Sequence, residues 1–339
     1  MKLSVGYNPA DIERLMNTCL LYSGSIGEVY FSYFDMPSGR SQTAYSVDEN
    51  GQPWLIQDLL KLNQVGIKAN LLLNANCYGA NSMKASFYTE TACIIEKLRA
   101  KISLSGITTT SPMIASFIKK RFSDLSVRAS INMNIHGIDS MSYITELFDE
   151  FYLTREYNRN LREIEKARVF CDRYQKKLYL LANSGCLNEC PSHVFHDNLV
   201  AHESEIDIDD FKPFEATCWK YLENTENRRR ILQISNWIRP EELHLLDPYF
   251  DGAKIATRSS QNAFRIVAAY AKGVWHGNVL DLTEPSHSIL FQNKILNNDL
   301  FPEGFLKKQM SCSKDCGSCG YCEKVFDEVT KISWEGNVC

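Results

Sequence analysis

Cysteine is the residue type whose number and spacing point most directly to chemistry in this sequence. The chain has 12 cysteines in 339 residues. Four of them crowd into one segment near the C-terminus: Cys312, Cys316, Cys319 and Cys322. Thiolates this close together would repel or oxidise unless a metal neutralised them, so the segment predicts a metal site. Tight C-x2-C runs are typical of iron–sulfur ligation, and a tetrahedral zinc site is the alternative.

A second group of thiols lies in the middle of the chain. Cys186 and Cys190 are separated by three residues, and His193 follows them. Cys218, further along, would complete a set of three thiolates. Thiolate and imidazole are both metal ligands, and histidine also acts as an acid or base near neutral pH. We therefore expect the three cysteines to bind metal and His193 to serve as a ligand or a catalytic group.

The hydrophobic pattern predicts the elements that position these residues. Short apolar runs alternate with amphipathic segments, and several runs are continuous, as in parallel strands covered on both faces. The runs that predict strands are 3–7, 28–34, 68–73, 101–105, 126–134, 150–154, 177–182, 230–235 and 253–257. This order predicts an α/β fold, a (β/α)8 TIM-like barrel over residues 1–280, with a cysteine-rich extension over 281–339. A doubly wound open sheet is the structural alternative, because strand number does not establish closure.

Polar side chains lie on or just after several predicted strands, where barrel enzymes hold their ligands. These residues are Asn74, Asn132, Arg155, Asn183, Lys254 and Arg258. Arg155 and Arg258 form the predicted anion-binding pair, because guanidinium groups recognise carboxylates through paired hydrogen bonds. We expect the three asparagines and Lys254 to contact a bound cofactor. Helix capping is the alternative role for any one of the asparagines.

Composition and charge limit the classes of partner. The formal charge is −4 and the isoelectric point is about 6.0, which disfavours nucleic acid as the main partner. No apolar run approaches the roughly 18 residues of a membrane span, and the N-terminus does not resemble a secretory signal. We therefore expect a cytoplasmic protein that acts on a small molecule. No HExxH or GxSxG motif supports a protease.

Two late segments resemble a known family. Residues 234–243 (ISNWIRPEEL) and 249–258 (YFDGAKIATR) resemble the late-barrel pattern of the collagenase-like peptidase family. Ser184-Gly185-Cys186 is similar to the position at which that family places a cysteine after strand seven. Members include factors of oxygen-independent ubiquinone, tRNA and ribosomal RNA hydroxylation. The resemblance implies a barrel, a 4Fe-4S cluster held by four cysteines and, in some members, prephenate as oxygen donor.

Motifs and resemblance together predict an iron–sulfur redox enzyme. We expect an oxygen-independent hydroxylase, not a protease, whose small-molecule substrate binds at the strand C-termini beside Cys186 and Cys190. Because members of the resembled family work in pairs, a homologous protein partner or electron donor is also expected. One alternative is a non-catalytic iron–sulfur scaffold or electron-transfer partner. The other is a radical S-adenosylmethionine enzyme, whose C-x3-C-x2-C motif would be displaced here to the end of the chain.

Overall fold

Eight parallel strands form a closed barrel in the computed structural model, which describes residues 1–33, 36–39, 51–202 and 216–332. The barrel strands are β1 (Lys2–Gly6), β2 (Ile26–Phe31), β3 (Lys68–Leu73), β4 (Leu104–Thr109), β5 (Ser126–Ala129), β6 (Glu150–Tyr152), β7 (Lys177–Leu181) and β8 (Gly252–Ile255). Each strand pairs with the next along the chain, and β1 pairs with β8 to close the sheet. The predicted TIM-like barrel is confirmed, and the open sheet is excluded.

Helices connect the strands and cover the barrel. The α-helices are α1 (Ile12–Leu21), α2 (Gly51–Gln64), α3 (Ala85–Arg99), α4 (Pro112–Arg121), α5 (Ile138–Ser142), α6 (Leu161–Arg173), α7 (His193–Ala201), α8 (Thr217–Leu222), α9 (Thr225–Arg229), α10 (Ile231–Ile234), α11 (Ala263–Lys272), α12 (Phe305–Met310), α13 (Cys316–Cys319) and α14 (Tyr321–Val329). Short 3-10 turns span Pro9–Asp11, Gly79–Met83, Ile131–Met133, Arg155–Tyr157, Pro240–Leu246, Val279–Leu282, Ser288–Phe291 and Asn298–Leu300. None of the described helices is long and apolar enough to cross a membrane.

Local sequence explains where several helices begin and end. Ser111 precedes α4 and accepts a hydrogen bond from the Ile114 N–H, while Pro112 occupies the first turn. Gly273, with φ of 71°, ends α11 in the left-handed conformation that glycine adopts without penalty. The strand predicted at 230–235 is wrong, because this segment forms α10. A short apolar run does not distinguish a strand from a buried helical turn.

The chain after the barrel packs onto the same hydrophobic core. Two short antiparallel strands, β9 (Lys294–Leu296) and β10 (Thr330–Ile332), frame this region together with α12 to α14. Phe305 and Val325 are buried in one core cluster with barrel residues such as Val5. The division into a 1–280 barrel and a 281–339 extension stays a prediction, and residues 333–339, including Cys339, lie outside the described part.

A network of buried charges lies inside the barrel. Arg128 on β5 donates from Nη1 to Oε1 of Glu28 at 2.7 Å and from Nε to Oε2 of Glu150 at 2.5 Å. Ser4 and Ser105 donate their hydroxyls to the two oxygens of Glu28. Arg128 lowers the pKa of Glu28 against the strong opposing effect of burial. Every charge in this layer is therefore compensated within the layer.

Candidate functional site at the barrel mouth

Above the internal charge network, the end of β8 brings two cations to the C-terminal mouth of the barrel. Lys254 Nζ lies 4.1 Å from the ring centre of Tyr30, and Arg258 follows β8 at the rim. Both residues are buried. Burial, then repulsion from Arg258 and Arg128, lowers the pKa of Lys254 to about 7. Gly6 makes room for this pair, because a Cβ there would lie 2.7 Å from Cγ of Arg258.

The end of β7 carries the thiol of Cys186 to the same mouth. Arg155, in the 3-10 turn after β6, donates from Nη1 to Sγ of Cys186 at 3.2 Å. Gly185 packs directly against residue 285, since a Cβ on Gly185 would lie 2.1 Å from the Pro285 carbonyl oxygen. This contact explains the glycine before Cys186: a larger residue would push the cysteine segment off the barrel.

His193 lies at the start of α7 beside Arg155. Its Nδ1 is 3.4 Å from Nδ2 of Asn134, and its Nε2 is 3.2 Å from a carboxylate oxygen of Asp197. Burial and the positive charge of Arg155 lower the pKa of His193, and Asp197 opposes them. The imidazole is therefore neutral at neutral pH and able to accept a proton.

The other two thiols of the middle group approach Cys186 without forming a compact ligand set. Burial, followed by the thiols of Cys186 and Cys190, raises the pKa of Cys218 to about 11. Cys190 and Cys218 line one cavity of about 210 Å³ together with Ile234 of α10. Across the described residues, no three histidine, cysteine, aspartate or glutamate side chains converge as a single metal ion requires. The metal role of these three thiols stays a prediction.

The predicted asparagines have different surroundings. Asn183 is fully buried, and its amide donates to the carbonyls of Ala256 and Leu282 while its Oδ1 accepts from the Ala256 N–H. These hydrogen bonds link the end of β7 to the end of β8. Both amide hydrogens of Asn183 are donated to backbone carbonyls, so neither is available to a ligand. Asn74 is buried and accepts from the Gly39 N–H at 3.0 Å. Asn132 is half-buried, and its backbone N–H donates to Ser130.

A wide cleft of about 670 Å³ adjoins the mouth on the β8 side. Its lining includes Trp219, Ser259, Arg265, Trp275, Asp281 and Glu284. Trp219 follows Cys218 directly, and the Glu284 carbonyl accepts from the Gly185 N–H at 3.0 Å. The cleft therefore adjoins the cysteine segment at two points. Its volume lies within the range of pockets that bind small ligands or short peptides.

The four C-terminal cysteines form a second group of thiols. All four line one cavity of about 40 Å³ between α12, α13 and α14, which we call the tail cavity. Three of these cysteines are half-buried and Cys319 is exposed. The structure therefore brings together all four residues that the spacing groups, in a cavity whose lining does not include Cys186, Cys190 or Cys218.

Comparison with known proteins finds relatives that match about three quarters of the chain or more. An uncharacterized protease of Methanocaldococcus jannaschii is 24% identical over 279 residues, which cover 79% of each chain. A U32 peptidase of known structure superposes with a TM-score of 0.52 at 13% identity, over 76% of this chain and 92% of that one. No family model matches the sequence. The resemblance to the collagenase-like (U32) peptidase family is confirmed. The structural match by itself establishes the fold alone.

This finding corrects the predicted activity. The prediction of an iron–sulfur hydroxylase that is not a protease is wrong, because the U32-type relatives are named as peptidases. The two alternatives, an iron–sulfur scaffold and a radical enzyme with a displaced motif, are wrong for the same reason. The physical source of the error is that cysteine spacing determines proximity along the chain. It does not determine which reaction the thiols support.

Three residues at the mouth were not predicted from the sequence. Tyr30 contacts Lys254 from inside β2, Asp197 stands one helical turn after His193, and Glu284 bridges to Ser184 beside β7. The i, i+4 spacing of His193 and Asp197 on one helix is a readable signal. Tyr30 and Glu284 carry no such signal, since their positions depend on barrel closure and on the path of the chain after α11.

Proposed function

We propose that this chain is a peptidase-type hydrolase that uses the Cys186 thiol as nucleophile. The observation that carries the proposal is the hydrogen bond from Arg155 to Sγ of Cys186 at the barrel mouth, beside the His193–Asp197 pair. The peptidase names of the relatives support the reaction class. The Arg155 donor orients the sulfur, which is the atom that attacks the substrate in a cysteine peptidase.

The neighbouring groups supply the proton transfers that amide hydrolysis needs. His193, neutral at neutral pH, takes the proton of the Cys186 thiol as the sulfur bonds to the substrate carbonyl carbon. The carbon–nitrogen bond then breaks, and the same proton passes to the leaving amine. Water, deprotonated by His193, releases the acyl group from sulfur and regenerates the thiol. Asp197, 3.2 Å from Nε2, orients the imidazole for both steps as a third group does in catalytic triads, and Nδ1 is the nitrogen that exchanges the proton.

The surroundings of Cys186 favour a peptide that carries a carboxylate. Arg258 and Lys254 place positive charge at the mouth, and guanidinium groups bind carboxylates through two parallel hydrogen bonds. Trp219 and Trp275 in the adjoining cleft offer aromatic surface to apolar side chains. The proposed substrate is therefore a short peptide whose free carboxylate reaches the mouth while its side chains occupy the cleft.

A peptide library assayed by mass spectrometry tests this proposal. Wild-type protein should cleave a subset of short peptides, and Cys186→Ser should lower the rate at least about 10³-fold. Cys93→Ser is the matched control, because Cys93 is exposed on α3, remote in sequence from the mouth segments. Absence of cleavage of any peptide, or equal rates for wild type and Cys186→Ser, would contradict the proposal.

Metal binding by Cys186, Cys190 and Cys218 is the second candidate for this region. Three thiols within electrostatic range are more than a cysteine peptidase needs. The two candidates differ in the state of Cys186, which must be free to act as a nucleophile. Metal analysis combined with iodoacetamide labelling separates them: rapid labelling of Cys186 supports the peptidase, and stoichiometric metal with a protected Cys186 supports the metal site.

A further inference from the structure

Lys254 is a buried amine that the proposed peptidase does not use as a nucleophile. It lies one residue before the end of β8, and only 8% of it is exposed. In the described part of the chain, no hydrogen bond or ion pair reaches its Nζ, which contacts two aromatic rings. Nζ lies 4.1 Å from the ring centre of Tyr30 and 5.9 Å from that of Tyr152. Buried polar groups are normally hydrogen-bonded, so this amine calls for an explanation.

Three alternate strands bring these side chains into one layer of the barrel. Tyr30 comes from β2, Tyr152 from β6 and Lys254 from β8, and side chains of alternate strands share a layer inside a TIM-like barrel. Glu28 and Glu150 stand two residues before the two tyrosines, so the internal charge network forms the next layer inward. The layer of Lys254 therefore lies between that network and the C-terminal mouth.

The groups nearest to the amine do not supply a negative charge to pair with it. Burial raises the pKa of Tyr30 and of Tyr152, so both phenols are neutral at neutral pH. Both oxygens of Glu28 accept hydrogen bonds from Arg128, at 2.7 and 3.1 Å. Lys254 therefore faces neutral rings and a carboxylate that is already paired with another cation.

These surroundings leave much of the amine unprotonated at neutral pH. Burial, followed by the positive charges of Arg258 and Arg128, lowers the pKa of Lys254 to about 7, and Glu284 and Glu28 oppose this more weakly. The unprotonated amine is the nucleophilic form, and proteins activate a lysine by burying it or by placing it next to another cation. Both conditions hold for Lys254, so its nitrogen is able to attack a carbonyl carbon.

Arg258 lies on the mouth side of the same tyrosine ring. A Cβ on Gly6 would be 2.7 Å from Cγ of Arg258 and 2.8 Å from Oη of Tyr30, so both side chains reach one point above Gly6. The ring of Tyr30 in turn faces Lys254. Guanidinium groups bind carboxylates through two parallel hydrogen bonds. An amine and a guanidinium on one tyrosine therefore fit a small molecule in which a carbonyl group adjoins a carboxylate.

We propose that Lys254 forms a reversible imine with a 2-oxo acid whose carboxylate is bound by Arg258. The amine nitrogen bonds to the carbonyl carbon, and the carbonyl oxygen leaves as water with the two hydrogens of the neutral amine. The step needs no oxidant or reductant. It does not involve the Cys186 thiol, so this activity goes beyond the proposed peptidase and can be tested separately from it.

Reductive trapping on the full chain tests the proposal. The protein is incubated with pyruvate and sodium cyanoborohydride at pH 7, and modified lysines are located by mass spectrometry. The hydride converts an imine to a secondary amine, so Lys254 should gain the mass of pyruvic acid less one oxygen atom. It should react at least about 10-fold faster than the exposed Lys120, because an ordinary lysine is almost wholly protonated at pH 7. Trapping at Lys254 that is no faster than at Lys120 would overturn the proposal.

Two further comparisons test the independence of the site and the class of substrate. Cys186→Ser should trap pyruvate at Lys254 as wild type does, even if no peptide is cleaved, and loss of trapping in this variant would contradict a separate activity. Methyl pyruvate offers the same ketone without the charge, and wild-type protein serves for both compounds. With each rate at Lys254 divided by that at Lys120, pyruvate should react about 10-fold faster, the scale of one charge-assisted hydrogen bond. Equal ratios would exclude a 2-oxo acid recognised by Arg258.

Discussion

The inside of the barrel and its mouth both contain buried cations, yet the two regions compensate them differently. In the interior, Arg128 bonds to Glu28 and Glu150, and these carboxylates raise the pKa of Arg128 well above its ordinary value. At the mouth, the pKa of Lys254 falls to about 7 through burial and the repulsion of Arg258 and Arg128. The interior charges therefore stabilise one another, while burial and like charge at the mouth disfavour the charged form of Lys254.

One side chain divides the two regions. The ring centre of Tyr152 lies 5.9 Å from the guanidinium carbon of Arg128 and 5.9 Å from Nζ of Lys254. Aromatic faces attract cations on both sides without supplying a full negative charge. Tyr152 therefore lies within reach of a cation of each region. Changes on the two sides should affect different measurements.

The substitution of Arg128 should cause the largest change, a decrease in the free energy of unfolding. Arg128→Met leaves Glu28 and Glu150 buried without their partner, and removing one member of a buried ion network costs about 3–5 kcal/mol. Urea unfolding should show this decrease in the free energy of unfolding. Arg121→Met is the control: Arg121 pairs with Glu96 at the surface, and such pairs contribute about 0–1 kcal/mol. Similar losses for both variants would refute the structural role of the inner layer.

A change at the mouth should act on catalysis instead. Arg155→Gln removes the charged donor to Cys186 and should lower kcat/KM for a cleaved peptide about 100-fold, the scale of losing one preorganised donor. The free energy of unfolding should change by only about 1 kcal/mol, that of one hydrogen bond. The alkylation rate of Cys186 should fall in parallel, because Arg155 no longer donates the hydrogen bond that orients the attacking sulfur. An unchanged alkylation rate would contradict the role given to Arg155.

More of the fold than of the candidate site could be predicted from the sequence. The strands predicted at 68–73 and 150–154 coincide closely with β3 and β6, since continuous apolar runs between helical patterns are typical of buried parallel strands. The prediction at 101–105 falls short of β4, which runs Leu104–Thr109, because Gly106 interrupts the apolar run before the β-branched residues that end the strand. Barrel closure itself depends on register between β1 and β8, which no local pattern encodes.

The site could be predicted only where strand ends determine it. Arg155, Cys186 and Arg258 meet at the mouth because residues after β6, β7 and β8 must lie at one end of a parallel barrel. The same rule gave the wrong role for Asn183. Its position is the predicted one, but its amide donates to backbone carbonyls. Whether a polar side chain turns inward to a ligand or sideways to backbone is decided by neighbours distant in sequence, such as Leu282.

The smallest expected effect concerns Lys254 and depends on pH. Its folded pKa of about 7 lies below the value of about 10.4 in an unfolded chain, so between these values the unfolded state binds more protons. Wild-type stability should therefore rise as pH increases from 7 toward 10, with the full penalty present below pH 7. Lys254→Met removes the titrating charge and should be more stable than wild type at pH 6 by about 2 kcal/mol, after the lost contact with Tyr30 is subtracted.

The pH profile, more than the single value, identifies the mouth as the source of this effect. The difference between Lys254→Met and wild type should shrink steadily from pH 7 to pH 10 in urea unfolding, whereas Lys120→Met, at an exposed position on α4, should show no such trend. A carboxylate-bearing peptide that binds beside Lys254 should raise its pKa and flatten the wild-type profile, since a nearby negative charge favours the protonated amine. A wild-type profile that the peptide leaves unchanged would place the anion elsewhere than beside Lys254.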